Sequence, residues 1–143
     1  MNAAKKLMMT EAHEILNSAE NISVEMVRAA REIYSCRGRV VVVGLGKSGH
    51  VGRKISATLA SLGTPSFFLH AAEASHGDLG MVRREDVGLF ISNSGASSEI
   101  VALLPHFRRT GAKMIAVTGC LTSPLAENAD MSINHNVRVF SQR

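Results

Sequence analysis

The chain has 143 residues, 45% hydrophobic and 20% charged, a composition that suits one globular domain and leaves too little chain for two cores. Sixteen Lys and Arg against twelve Asp and Glu give a formal charge of +4, which favours an anionic partner; the basic residues are scattered in pairs, and with no Trp and one Tyr they argue against nucleic acid. No stretch reaches the roughly 20 apolar residues of a membrane helix, and Met1-Asn-Ala-Ala-Lys-Lys6 opens no signal-peptide core, so the expectation is a cytoplasmic protein without a membrane partner.

In chain order, Leu7, Met8, Ile15 and Leu16 stand at helical spacing, and Val24, Val27, Ala30, Ile33 and Tyr34 repeat the pattern in a second segment that Ser23 can cap. These two helices form an N-terminal lead-in over 1–37, followed by a sheet domain over 38–143. Val40-Val-Val-Val43 reads as a strand buried on both faces, and a helix from Gly49 to Leu62 is closed by Gly63-Thr-Pro65. Ser66 to His70 forms a second strand, 71–86 a loop, and Val87 to Ser92 a third strand. A helix from Ser98 to Thr110, kinked at Pro105 and ended by Gly111, leads to a strand Lys113 to Thr118. A helical turn over Ser123 to Asn128 and a last strand from Met131 to Val139 complete a doubly wound α/β architecture with five mainly parallel strands. Nothing after Val139 is long enough to cover that last strand. Cys36 and Cys120 make neither a CxxC motif nor a disulfide framework and read as buried thiols in a reducing compartment.

Gly44-Leu-Gly-Lys-Ser-Gly49 matches GxGxxG between a strand and a helix, but the second strand ends in His70, with no acidic residue placed to bind a ribose. A P-loop is excluded, because Val41 stands where that motif needs its first glycine. The free amides of such a turn, with Gly46, the Ser48 hydroxyl, the Lys47 cation and a helix N-terminus, favour a phosphate. The alternative is that the glycines only permit a tight turn. A second hydroxyl-rich turn, Ser92-Asn-Ser-Gly-Ala-Ser-Ser98, leads into the helix carrying Glu99. Both turns face one end of a parallel sheet and can line one crevice, although the serines can equally serve as caps and turn residues.

Taken together with Gly63-Thr-Pro-Ser-Phe-Phe68, His76-Gly-Asp-Leu-Gly-Met81 and Ser123-Pro-Leu125 followed by Ala129-Asp130, these motifs resemble the sugar isomerase (SIS) family. Within it they resemble the D-arabinose 5-phosphate isomerases of bacterial lipopolysaccharide and capsule synthesis. The resemblance covers about 38–130 and implies an enzyme that interconverts an aldose phosphate and a ketose phosphate, D-arabinose 5-phosphate and D-ribulose 5-phosphate, through an enediol and without a cofactor. It implies a phosphate cup of Gly46, Ser48, Ser92, Ser94 and Ser97 with amide contacts from Asn93, catalytic Lys47, His76 and Glu99, and a homodimer or homotetramer.

Each of the three catalytic candidates has a plainer alternative: Lys47 as a phosphate contact only, Glu99 as a first-turn carboxylate facing the helix dipole, and His76 as a loop histidine. His70, Glu73, His76 and Asp78 fit no zinc spacing, and no metal is expected. Where the family has glutamates, this sequence has Ala96 in the serine loop and, on extending the match without gaps, Phe140 near its end. A segment opening a long helix, a second histidine and paired CBS domains, all usual in the family, have no counterpart. The rival expectation is therefore a phosphosugar-binding or regulatory module without turnover, the chain being a truncated relative or a fragment.

Overall fold

All four valines of β1 (Val40–Gly44) are fully buried in the computed structural model, which describes residues 2–20, 22–74 and 76–135. A β-branched run has no polar face to turn to water, so it belongs inside a sheet covered on both sides. β1 lies between β2 (Ser66–His70) and β3 (Val87–Ile91). β4 (Lys113–Thr118) and β5 (Met131–Asn134) extend the sheet, giving the order β2-β1-β3-β4-β5. Every pairing among these strands is parallel, and Gly44 stands opposite both His70 and Ile91.

Side chains alternate across the sheet, so the valines feed two cores. Val41 and Val43 join Phe90, Ile100, Leu103, Leu104 and Phe107, beneath α4 (Ala71–Ala74), α5 (Ser98–Thr110) and α6 (Pro124–Asn128). Val40 and Val42 join Leu89, Ile115, Met131 and Ala29, beneath α2 (Val24–Tyr34) and α3 (Gly46–Ser61). The result is the three-layer α/β arrangement that the sequence pattern implies.

Several local expectations change. The last strand is not bare: α2, capped by the Ser23 hydroxyl accepting from Met26 N, packs over β5 and buries Ala29 beside Met131. Coverage thus comes from the N-terminal lead-in, a long-range contact that no local pattern reveals. β5 ends at Asn134, and the continuation expected through Val139 lies outside the described residues. α3 begins at Gly46 rather than Gly49, because Gly49 N already donates to Leu45 O at 3.1 Å. The expected loop over 71–86 holds α4 and a 3-10 turn, Asp78–Met81, each only four residues long and so without readable periodicity. α5 is continuous through Pro105, which lies on its exposed side. Cys36 is half-buried and Cys120 exposed, the latter because it follows β4 in a surface loop.

The segment carrying His76 is tied down at its base. Asp86, almost fully buried, accepts from Arg39 N at 2.8 Å, from Arg83 N at 2.9 Å and from the Arg39 guanidinium at 3.2 Å. The same guanidinium donates to the Met81 carbonyl and lies over the Phe67 ring. α1 (Asn2–Glu20), by contrast, buries none of its residues, and Leu7, Met8, Met9, Ile15 and Leu16 are each more than half exposed.

Candidate functional site

In an open parallel sheet, ligands bind beyond the carboxyl ends of the strands, at the point where successive connections run in opposite directions. Here the chain passes from β1 outward to β2 and then returns to β3 on the other side of β1. The reversal therefore falls between β1 and β3. Gly44 and Ile91 are register partners, so the glycine loop and the serine loop leave neighbouring strands about 4.8 Å apart.

One residue, Leu45, separates β1 from α3. As N-cap it supplies no side-chain hydrogen bond, and the first turn, including Lys47 and Ser48, keeps N–H groups without helical acceptors. Lys47 is exposed and Ser48 half-buried. The plain explanation does account for two of the glycines: a Cβ on Gly44 would lie 3.0 Å from Ser48 O, and one on Gly49 would touch the Phe68 ring at 3.4 Å. Gly46 differs. Its φ of +55° requires glycine, and nothing stands within 4 Å of where its Cβ would be.

The serine loop is partly self-supporting. Ser92 is buried and its Oγ accepts from Gly95 N at 3.2 Å, while Ser94, exposed, accepts from Ala96 N at 3.3 Å. Both therefore serve as turn residues as well as cup candidates. Ser97 is the N-cap of α5, yet its side chain makes no capping bond. Asn93 is exposed, and its carbonyl accepts from Gly119 N at 3.0 Å and Thr118 Oγ1 at 3.2 Å. Glu99, half-buried in the first turn of α5, accepts from Ser98 Oγ at 3.1 Å. The helices away from the reversal point behave otherwise: Ser23 and Ser123 cap α2 and α6 with their own hydroxyls. The two long helices at the reversal, α3 and α5, lack a side-chain cap where an anion would complete them.

His76 follows α4 at the end of β2, exposed, its N–H donating to Glu73 O at 2.9 Å. Lys47, His76 and Glu99 thus stand on segments leaving three adjacent strands at one sheet end, although no hydrogen bond or ion pair among the described residues joins any two of them. Nor do three His, Cys, Asp or Glu side chains among the described residues come together as metal ligands. Surface hollows around Arg39, Pro65 and Phe67, and around Arg31, Lys113 and Asp130, lie toward the amino ends of the strands, away from both loops. Thr118 escapes sequence reading; its only signal is a hydroxyl at the end of a buried strand.

Comparison with known proteins gives the family and the fold. The model of the SIS domain family matches residues 32–139. The arabinose 5-phosphate isomerase KdsD of Pseudomonas aeruginosa is 48% identical over 137 residues, which cover 96% of this chain and 42% of that protein. The arabinose 5-phosphate isomerase GutQ of Escherichia coli is 50% identical over 125 residues, 87% of this chain and 39% of its own length. The chain thus spans about two fifths of these curated relatives. Among solved structures, an Escherichia coli protein in complex with arabinose 5-phosphate is 42% identical with a TM-score of 0.83, covering 96% of this chain and 75% of that one. A Bacteroides fragilis protein, described as a phosphosugar isomerase involved in capsule formation, is 36% identical with a TM-score of 0.88, covering 98% and 76%. Among the described residues, no helix is long and apolar enough to cross a membrane.

Proposed function

The chain belongs to the SIS domain family, and from that premise we propose that it binds a pentose phosphate between the β1 and β3 loops and interconverts D-arabinose 5-phosphate and D-ribulose 5-phosphate. The observation that carries the reading is the pair of uncapped N-termini, α3 and α5, at the chain reversal. The kinship to arabinose 5-phosphate isomerases supplies the sugar.

In this reading Gly46, Ser48, Ser92, Asn93, Ser94 and Ser97 form the phosphate cup, their amides and hydroxyls donating to a dianion. Aldose–ketose interconversion takes the proton from C2 and returns one to C1, while a proton moves from O2 to O1. Carbon oxidation states are exchanged within one molecule, so no redox cofactor is called for. Glu99 is the carboxylate suited to the carbon proton, a neutral His76 suits transfer between the oxygens, and Lys47 stabilises enediolate or phosphate charge. The proposal extends to a role in envelope-sugar synthesis in the cytoplasm, with neither nucleic acid nor membrane as partner, in keeping with the kinship to arabinose 5-phosphate isomerases.

A homodimer or homotetramer completes the proposal, supported by the five large apolar side chains that α1 leaves uncovered. Light scattering is expected to give at least twice the 15.3 kDa chain mass, and Ile15→Glu to lower it; a monomeric wild type overturns the oligomer.

A second reading, phosphosugar binding without turnover, is favoured by Phe140, which stands where the family resemblance places a catalytic Glu. Incubation with D-arabinose 5-phosphate in D2O, followed by proton NMR, separates the two. Protein-dependent formation of ribulose 5-phosphate with loss of the C2 proton signal supports the isomerase. Saturable binding with no exchange supports the module, and absence of binding by a well-dispersed protein overturns both.

A further inference from the structure

Two carbonyls of the serine loop, those of Asn93 and Gly95, are held by the end of β4 and the segment after it. Gly119 N and Thr118 Oγ1 both donate to the Asn93 carbonyl, at 3.0 and 3.2 Å, and Leu125 N donates to the Gly95 carbonyl at 3.0 Å. Thr118 is fully buried, and its Oγ1 also accepts from Cys120 N at 3.2 Å, which fixes the rotamer that reaches Asn93. The contact surface is close-fitting throughout: a Cβ on Gly119 would come within 2.7 Å of Asn93 Oδ1, and one on Gly95 within 3.1 Å of Thr118 Oγ1.

A trans peptide is planar, with its C=O and the following N–H pointing in opposite directions. Anchoring the Asn93 carbonyl on β4 therefore turns the Ser94 N–H away from β4. That amide has no acceptor among the described residues, whereas the next two amides are already taken, Gly95 N by Ser92 and Ala96 N by Ser94 Oγ. The loop is thus bound on one side, and the Ser94 N–H is turned to the other.

We propose that Thr118 is a positioning residue for phosphosugar binding, acting at a distance from the ligand: its hydroxyl pins the Asn93 carbonyl and so aims the Ser94 amide at the phosphate. The proposal rests on the phosphosugar reading above. Its energetic logic is preorganisation, since a donor already fixed in direction loses little freedom when the anion arrives.

The test uses the whole chain, with D-arabinose 5-phosphate as probe and the Ser94 amide followed by nitrogen-15 NMR. The wild-type Ser94 amide proton is expected to move downfield on titration. Thr118→Val, which keeps the shape and removes the hydroxyl, is expected to weaken binding about tenfold and reduce that shift, and Thr118→Ser to restore both to within about twofold. A general packing defect would not be rescued by Ser, which is the smaller residue. Wild-type affinity in Thr118→Val, or equal loss in Val and Ser, overturns the positioning role. So does a wild-type titration in which other loop amides respond and Ser94 does not, a result independent of whether the variants fold. A wild type that binds no phosphosugar overturns the underlying functional reading instead, and is told apart by that.

Discussion

Glu99→Gln is expected to leave D-arabinose 5-phosphate affinity within about twofold of wild type and to slow exchange of the C2 proton by about 100- to 10,000-fold, the usual worth of a positioned general base. The amide keeps the size of the carboxylate and an oxygen able to accept from Ser98 Oγ, as Glu99 Oε2 does now at 3.1 Å, so the helix start is preserved while the basicity is lost. The competing role, a carboxylate facing the α5 dipole, makes the opposite prediction: about 0.3 to 1 kcal/mol of stability lost and turnover unchanged. Single-turnover exchange rates and a urea melt on the same preparation decide between the two. A Glu99→Gln protein as active as wild type removes this residue from the mechanism.

Gly95→Ala is expected to damage the fold and the cup together. Gly95 is buried, with φ +62°, where an L side chain is strained, and its added Cβ would lie 2.1 Å from Ser123 Oγ and 2.6 Å from Ser123 Cβ. Ser123 has little freedom to give way, because it is buried and its Oγ caps α6 by accepting from Ala126 N at 3.3 Å. Left-handed strain and overpacking together cost about 3 kcal/mol, a fall in Tm of roughly 10 °C for a chain of this size. If the loop shifts to escape the contact, it breaks the Gly95–Leu125 and Asn93–Gly119 hydrogen bonds, and phosphosugar affinity is expected to fall by more than about tenfold. Calorimetry and a binding titration check the two effects separately. Unchanged affinity in a destabilised protein would show that the serine loop is not the phosphate cup.

Much of this molecule is legible locally. Strand and helix types follow from the β-branched run at Val40 to Val43, the apolar spacing of α5 and the glycine that ends it, because those signals act within a few residues of the structure they specify. The glycine and serine loops are legible for the same reason: each is bounded by a strand before it and a helix after it. Length decides what is missed. α4 and the 3-10 turn are four residues each, shorter than the window in which a period can be seen.

The site is less evenly legible. Lys47, Ser48, Ser97 and Glu99 fall on helix starts, where residue type and position already suggest anion chemistry. Whether a serine hydroxyl is free or spent on its own turn is another matter. Ser92 and Ser94 each accept from a nearby backbone amide, whereas Ser97, at a position where a cap is the ordinary expectation, makes no capping bond. Backbone direction, not composition, separates these cases.

The sequence by itself determined the alternation of strands and helices, the placement of two polar turns at one sheet end, and the family to which the chain belongs, because periodicity and motifs are properties of neighbouring residues. Only the tertiary structure decided that α2 covers β5, that Asp86 anchors the segment bearing His76, and that Thr118 and Gly119 hold the serine loop from behind. Each of these joins residues about 25 to 100 positions apart in the chain, or brings a far segment's anchor to a local turn. Such contacts depend on the order in which parallel strands assemble, and local spacing carries no record of that order.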